Sequence, residues 1–144
     1  MKPESEPGFA PETLVPHRSP ILGLERITSV SADGASARAR IEPGPDVDAQ
    51  GNLWEQALIE GLAQTASALH AFHARQANQK IVRGMLVGAS QLVIHRRARV
   101  AECVEYEVEL VRQLEAVSLV RGTARVGSEV LAEGELKFYV ETVP

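Results

Sequence analysis

The sequence predicts an α+β domain in which one long helix packs against a curved antiparallel sheet. Apolar residues recur at helical spacing from about residue 52 to residue 76. Two strand-like segments precede this helix and about four follow it, with connections short enough to be hairpins. A chain of 144 residues can bury one core, so we expect a single domain over residues 13–144, preceded by a flexible arm over residues 1–12.

The predicted helix is small or apolar on nearly every side, which indicates that other structure surrounds it. No Asp, Glu, Lys or Arg occurs in residues 61–74. We expect Asn52 to cap the first turn, with Glu55 placed to reach back to it in a capping box. At about 1.5 Å per residue such a helix is roughly 36 Å long, which is more than one curled sheet covers. A second copy pairing edge to edge would close the remaining surface, so we predict a homodimer and leave a dimer of dimers open.

Alternation of apolar and polar residues defines the strands. An Asp33-Gly34 turn separates the first two strands, and a Gly127-Ser128 turn separates the last two. The segment from residue 85 to residue 94 is apolar enough to be a central strand of the sheet. The predicted strands are residues 22–31, 35–41, 85–94, 104–110, 117–126 and 130–141.

The composition argues against several classes of protein. A net charge of -4 disfavours a nucleic-acid surface, and the densest basic cluster, Arg96, Arg97 and Arg99, fits a solvated strand end. Cys103 is the only cysteine, which leaves no intrachain disulfide, cysteine-rich metal site or redox pair. The acidic, proline-rich start lacks the apolar run of a secretory signal, and no apolar stretch approaches the roughly 18 residues that span a bilayer. We therefore expect a cytoplasmic protein.

Glu60 is the candidate catalytic residue. It borders the uncharged part of the helix, and Gln64 lies one turn further along the same face. A carboxylate among apolar helix positions is destabilising unless it is paired or used in chemistry. We expect burial there to favour the protonated acid, which can donate a proton, and we expect Gln64 to hold it by a hydrogen bond. The structural alternative is a Glu60 satisfied by a backbone group or by an arginine.

The other polar side chains predict no metal and no cofactor. His70 and His73 lie three residues apart on the last helical turns, but no third ligand is evident and the position suits C-terminal capping. His95, beside two arginines, is interpreted as a surface residue at a strand end. The sequence contains no phosphate-binding glycine loop and no Ser-His-Asp arrangement, which disfavours nucleotide chemistry.

Three parts of the chain resemble known proteins. Residues 14–22 read Leu-Val-Pro-His-Arg-Ser-Pro-Ile-Leu, residues 59–66 read Ile-Glu-Gly-Leu-Ala-Gln-Thr-Ala, and the strands from residue 85 to residue 140 include Tyr-Glu-Val-Glu-Leu and Ala-Glu-Gly-Glu. Together these segments resemble the hotdog fold, and specifically the 3-hydroxyacyl-acyl-carrier-protein dehydratases of bacterial fatty-acid synthesis. The resemblance covers about residues 14–140 and is nearest to the branch found with polyketide-like and aryl-polyene pathways.

This resemblance implies an acid–base site. In the family a histidine in a loop just ahead of the helix takes the proton beside the thioester carbonyl, and a carboxylic acid protonates the departing hydroxyl. Glu60 matches the carboxylic acid. The corresponding loop here, residues 46–51, has no histidine, so Asp46, Asp48 and His17 are the candidates for a substitute base. The two aspartates also suit a simple turn, and the family's equivalent of His17 is structural.

An acyl thioester would then bind along the helix. The backbone N–H groups at the helix start would polarise the thioester carbonyl. Small side chains on the helix, including Ala63 and Ala66, would leave room for the acyl chain between subunits. The expected substrate-binding residues are Gln64, Gly51, Asn52, Leu53 and Gly61.

We expect a dehydratase-like protein that acts on thioesters of acyl carrier protein or coenzyme A, in fatty-acid or polyketide-type synthesis. Two alternatives stay open. A hotdog thioesterase would use Glu60 as general base or nucleophile. A non-catalytic acyl-binding subunit would pair with a histidine-bearing homologue in a heterodimer, where Glu60 would complete the partner's site. The basic cluster, Arg96, Arg97 and Arg99, would then suit docking of an acidic carrier protein.

Overall fold

The structure, a computed structural model, describes residues 10–18 and 23–144 of the chain. Most of the arm predicted over residues 1–12 lies outside the described residues, but Pro11 is buried in a short 3₁₀ turn. The elements are a 3₁₀ turn (Pro11–Thr13), strands β1 (Arg26–Val30) and β2 (Gly34–Arg40), helix α1 (Glu55–Gln76), and strands β3 (Lys80–Ile94), β4 (Cys103–Leu114), β5 (Val117–Val126) and β6 (Glu129–Val143).

The six strands form one antiparallel sheet in the order β1-β2-β4-β5-β6-β3. Helix α1 contacts every one of these strands, so the sheet curves around it. Leu58, Leu62 and Leu69 on α1 are fully buried, and they belong to one core with inward-facing strand residues such as Val108 and Leu136. The predicted α+β architecture is therefore confirmed. No helix in the described part of the chain is long and apolar enough to cross a membrane.

Strand β3 lies at the edge of the sheet, so the prediction of a central strand there is wrong. It pairs with β6 on one side, and no described strand of the chain pairs with its other side. All residues from 80 to 91 are exposed. An apolar run has the same pattern in a central strand and in an edge strand that a second chain covers. The large apolar side chains exposed on β3 are Ile81, Val82, Met85, Leu86, Val87 and Val93.

Helix α1 begins at Glu55, with Trp54 as the N-cap residue and no side-chain capping bond. The predicted capping box of Asn52 and Glu55 is therefore wrong. Asn52 instead belongs to the preceding loop, where its N–H donates to Oδ1 of Asp48 at 3.0 Å and its carbonyl accepts from the Asp48 N–H at 2.9 Å. Gly51 turns the chain between them at a φ of 81°, a conformation that favours glycine.

Gly61 lets α1 approach β4 closely and leaves no room for a ligand. A side-chain carbon at this position would overlap the ring of Tyr106, which is itself buried. Ala66 is also fully buried in the core. The acyl-chain space predicted at these positions is filled by the protein, and only Ala63 lies on a half-buried face of the helix.

Candidate functional site

Glu60 is held by two hydrogen bonds in series that begin at the N-terminal segment. The N–H of Gly23 donates to Oε1 of Gln64 at 2.8 Å, and Nε2 of Gln64 donates to Oε1 of Glu60 at 3.0 Å. Because the amide oxygen of Gln64 accepts from Gly23, the amide nitrogen is the atom that faces the carboxylate. Gln64 is fully buried, which fixes its orientation. The hydrogen bond predicted between Gln64 and Glu60 is present.

His17 lies beside the same carboxylate. Its Nε2 atom is 3.8 Å from Oε1 of Glu60, which is beyond hydrogen-bond distance but close enough for direct electrostatic interaction. The other ring nitrogen, Nδ1, is buried and has no hydrogen-bond partner among residues 10–18 and 23–144. Of the candidates for a substitute base, His17 is thus placed next to the carboxylate.

Glu60 is half exposed in the single chain, where we expected burial. Its side chain is 48% exposed, and that of His17 is 32% exposed. The same face of α1 continues through Ala63, Ser67 and Ala71, which the chain's own sheet covers only in part. Full burial of the carboxylate therefore requires a substrate or a second chain on this face.

A cavity of about 530 Å³ opens next to His17 and runs along the C-terminal half of α1. Ser67, Ala71 and Ala74 form its helix wall, residues 12–18 form a second wall, and the start of β3 forms a third. This volume is within the usual range for small-molecule sites. His17 lines the cavity and lies beside Glu60, so the ring connects the cavity wall to the candidate catalytic carboxylate, which is not itself a lining residue.

Arg97 fixes the loop that leads into α1. Its Nε donates to the Leu53 carbonyl at 2.8 Å, and its Nη2 donates to the Asn52 carbonyl at 3.0 Å. The same guanidinium lies 2.8 Å from the Asp48 carboxylate and 4.8 Å from the centre of the Trp54 ring. Such contacts use the planar fork of donors that only arginine has. The interpretation of this residue as part of a solvated strand end is therefore wrong.

The backbone N–H groups predicted to polarise a thioester carbonyl are paired within the protein. The N–H of Gly51 donates to the Asp48 carbonyl at 3.0 Å, and that of Leu53 donates to the Ala98 carbonyl at 2.8 Å. The Asn52 N–H is bonded to the Asp48 carboxylate. Unpaired N–H groups of a helix belong to its first turn, which here begins after this loop. These three residues shape the approach to the helix and offer no free backbone N–H donor.

Asp48 also stabilises the loop ahead of the helix. Its carboxylate accepts from the N–H groups of Asn52 and Gln50 and pairs with Arg97. The hydrogen bond from the Asn52 backbone is the largest of the effects that hold the pKa of Asp48 below its ordinary value. A carboxylate with a lowered pKa is a weak base, so Asp48 does not suit the proton-accepting role. Asp46 is exposed on the same loop.

Arg96 is neutralised by two carboxylates, which argues against a carrier-protein docking site on the basic cluster. Its guanidinium contacts both oxygens of Glu102, at 2.8 and 2.9 Å, and both oxygens of Glu129, at 2.8 and 3.0 Å. The bonds to Glu102 and then Glu129 hold the pKa of Arg96 above its ordinary value, and the bond from Arg96 lowers the pKa of Glu102. Because Arg97 pairs with Asp48, two of the three arginines are engaged within the chain.

The two helix histidines have separate partners. Nε2 of His70 lies 2.7 Å from Oγ of Ser118, and both residues are buried. Nε2 of His73 lies 2.7 Å from the Ala32 carbonyl oxygen. Burial, and then the neighbouring His73, lower the pKa of His70 to about 4. His95 is exposed, as predicted, and the described ranges contain no group of three side chains that could hold a metal.

Two relationships at the site have no sequence signal of their own: the proximity of His17 to Glu60, which was considered only through its place among three candidate bases, and the contacts of Arg97, which were missed. Both join segments that are distant in the chain, so spacing carries no signal for them. The available sign for His17 was its position between a proline and an arginine in a segment that cannot be helical. The sign for Arg97 was its place directly after a long apolar strand.

The chain is similar to known dehydratases along nearly its whole length. A family model described as ApeP-like, ApeP dehydratase, matches residues 9–143. A 3-hydroxyacyl-acyl-carrier-protein dehydratase FabZ from Methylobacterium nodulans is 28% identical over 129 residues, which cover 85% of this chain and 81% of the relative. The FabZ of Methylobacterium radiotolerans is 24% identical over 135 residues, covering 90% and 85%.

Solved structures share the fold. The dehydratase heterocomplex ApeI:P from Xenorhabdus doucetiae contains a chain that aligns with a TM-score of 0.84 at 21% identity, covering 92% of this chain and 91% of that one. A hypothetical thioesterase with coenzyme A from Streptococcus pneumoniae aligns with a TM-score of 0.65 at 9% identity, covering 80% and 84%. At these identities the structural likeness establishes the hotdog fold alone, which confirms the predicted fold.

Proposed function

The chain belongs to the ApeP-like dehydratase family, and on that premise we propose that it dehydrates 3-hydroxyacyl thioesters with Glu60 as the proton donor. The observation that carries the proposal is the arrangement around Glu60. Gln64 orients the carboxylate, and the His17 ring lies 3.8 Å away and lines a cavity. The FabZ relatives are named for acyl-carrier-protein substrates, which supports acyl carrier protein as the carrier, with coenzyme A as the alternative.

The reaction removes water across the bond between the α- and β-carbons of the acyl chain. A base takes a proton from the α-carbon, that electron pair forms the α–β double bond, and the β-hydroxyl leaves as water with a proton from an acid. Glu60 supplies this proton, and His17 takes the proton from the α-carbon. The distance of 3.8 Å suits two groups that act on adjacent carbons from the same side of the substrate. Transfer of a proton from His17 back to Glu60 restores both groups.

Gln64 acts as a positioning residue in this scheme. Its Nε2 donates to Oε1 of Glu60, the oxygen that also lies nearest His17. The acidic proton of the carboxyl group is then carried by Oε2, which faces the β-hydroxyl of the substrate. Because Gly23 and the core hold Gln64 in place, the carboxyl group is oriented before substrate binds.

The acyl chain occupies the cavity beside His17. From Glu60 the route follows the small side chains of Ser67, Ala71 and Ala74, which line the cavity along α1. This route replaces the one predicted past Gly61, which the ring of Tyr106 fills. The walls mix apolar and polar groups, as is usual for sites that hold an extended ligand.

A second hotdog chain pairs with the free edge of β3. Large apolar side chains on an unpaired edge strand form a surface that folded proteins cover. The second chain is another copy of this one or a homologue, and the neighbouring Xenorhabdus doucetiae structure is a heterocomplex of dehydratases. In the heteromeric case the homologue would supply the histidine that residues 46–51 lack, and Glu60 would complete its site.

One assay tests the proposal. Purified protein is given a 3-hydroxyacyl thioester, and enoyl absorbance and free thiol are followed together. Enoyl formation by the protein alone supports dehydration with both groups from this chain. Release of thiol without enoyl product would replace the dehydratase proposal with a thioesterase. If the protein alone forms neither enoyl product nor free thiol, and enoyl product forms when a histidine-bearing homologue is added, the heteromeric role is assigned.

A further inference from the structure

We propose that His70 limits the acyl chain length by closing the inner end of the cavity that begins beside His17. This inference rests on the placement of the acyl chain in the proposed function. It assigns a specificity role to a buried residue that takes no part in the dehydration chemistry.

A second cavity, of about 450 Å³, lies on the far side of His70. The end of α1, the β4–β5 hairpin and the last part of β6 form its walls. Four residues line both cavities, and they therefore form the partition between two otherwise adjoining spaces: His70, Ala74, Gln79 and Val140.

His70 is a rigid member of this partition. Its Nε2 is 2.7 Å from Oγ of Ser118, and its ring stands edge-on to the ring of Phe138 at 5.1 Å. The residue is 7% exposed. Gln79, in contrast, is an exposed residue between α1 and β3, and the side chain of Ala74 is only a methyl group. A ring held on two sides by buried neighbours is a fixed stop for a chain that enters from the His17 end.

The chemical character of His70 suits contact with an apolar chain end. Burial holds its pKa at about 4, so the ring is uncharged near neutral pH. An uncharged ring whose Nε2 is already paired with Ser118 leaves no charge to desolvate when an acyl chain packs against it.

Four variants distinguish the effect of the His70 ring from the effects of neighbouring residues. His70→Ala removes the ring and joins the two cavities, and Ser118→Ala keeps the ring but frees it to rotate. His73→Ala is the matched control, since His73 lies on the same helix end and lines only the second cavity. Ala71→Leu places a larger side chain in the first cavity alone and so reduces the space there.

The readout is the affinity of each protein for saturated acyl-coenzyme A thioesters of increasing chain length, measured by titration calorimetry. We expect wild-type affinity to rise with chain length and then fall at a limit. His70→Ala should move the limit to longer chains, with about a tenfold gain for the first chain beyond the wild-type limit. Ser118→Ala should give a smaller gain in the same direction. Ala71→Leu should shorten the limit, and His73→Ala should leave it unchanged.

The inference is overturned if folded His70→Ala keeps the wild-type limit, if His73→Ala moves the limit as far, or if no thioester binds. If His70→Ala does not fold, the inference is overturned when Ser118→Ala and Ala71→Leu both keep the wild-type chain-length limit. Because the readout is binding, a shifted limit in a protein that forms no enoyl product supports the inference and counts against the proposed reaction.

Discussion

The Nε2 atom of His17 lies 3.8 Å from the carboxylate of Glu60, although one residue belongs to the N-terminal segment and the other to the central helix. The buried Nδ1 of the same ring has no partner in the described chain. The proposed base and the proposed acid therefore lie side by side without any contribution from residues 46–51. This pairing makes the dehydratase proposal self-contained within a single chain.

Replacement of His17 by Ala tests the pairing. If His17 takes the proton from the α-carbon, its loss should lower kcat by roughly 10²-fold or more, with a smaller change in KM. His95→Ala is the matched control, because His95 lies 3.8 Å from Glu133 at an exposed site away from the cavity. Steady-state kinetics of both variants give the comparison. A kcat near the wild-type value in His17→Ala would return this residue to a structural role.

Replacement of Gln64 by Met tests the positioning role. The change keeps the shape of the side chain but leaves the Gly23 N–H without its acceptor and Glu60 without its donor. We expect a loss of about 1–3 kcal/mol in the free energy of unfolding, together with a lower kcat. Urea denaturation measures the first, with Gln56→Met, an exposed position on the same helix, as control. Unchanged kcat at reduced stability would show that Gln64 supports the fold only.

Replacement of Arg97 by Lys tests the loop ahead of the helix. A lysine keeps the charge but cannot bond to Leu53, Asn52 and Asp48 together. We expect a loss of about 1.5–3 kcal/mol in the free energy of unfolding, as for hydrogen bonds to a charged group. Arg99→Lys, at an exposed position in the same cluster, should change stability little. Equal stability of the two variants would contradict the assigned role of Arg97.

Acidification tests the burial of neutral His70. Its pKa is about 4 in the folded protein and 6.5 as the ordinary value, so the unfolded chain binds more protons between these limits. The free energy of unfolding should therefore fall as the pH is lowered from 6.5 to about 4, by on the order of 3 kcal/mol. Asp48, Glu102 and Glu129, whose pKa values are lowered, lose their contributions as the pH falls through and below their ordinary values of 3.8, 4.5 and 4.5, so they add to the loss mainly at the acid end of this range. In His70→Gln the loss above pH 4 should shrink, and an unchanged pH profile would count against this assignment.

Local patterns in the sequence were sufficient for the main elements and for the Glu60–Gln64 pair. Helical spacing placed both side chains on one face, one turn apart, and alternation placed the strands. Other features depend on the folded chain. The space beside Gly61 is filled by Tyr106 from β4, and the contacts of Arg97 join the segment after β3 to the loop ahead of the helix. Neither contact has a fixed spacing in the sequence.

The position of β3 shows a further limit. Its apolar residues fit a central strand, but the strand forms an edge because the surface that would cover it is not part of this chain's described structure. Glu60 is likewise half exposed in the single chain, where we expected burial. A pattern within one chain records that a surface is apolar but not which molecule covers it.

Replacement of Glu60 by Gln is the most direct test of the central claim that this carboxyl group donates the proton in dehydration. The amide keeps an acceptor for Gln64 but has no acidic proton. Formation of the enoyl thioester from a 3-hydroxyacyl thioester should fall by roughly 10²–10⁴-fold, while melting temperature and oligomeric state stay as in the wild type. Glu55→Gln, at an exposed position on the same helix, should retain full activity. Wild-type turnover by folded Glu60→Gln protein would contradict the account.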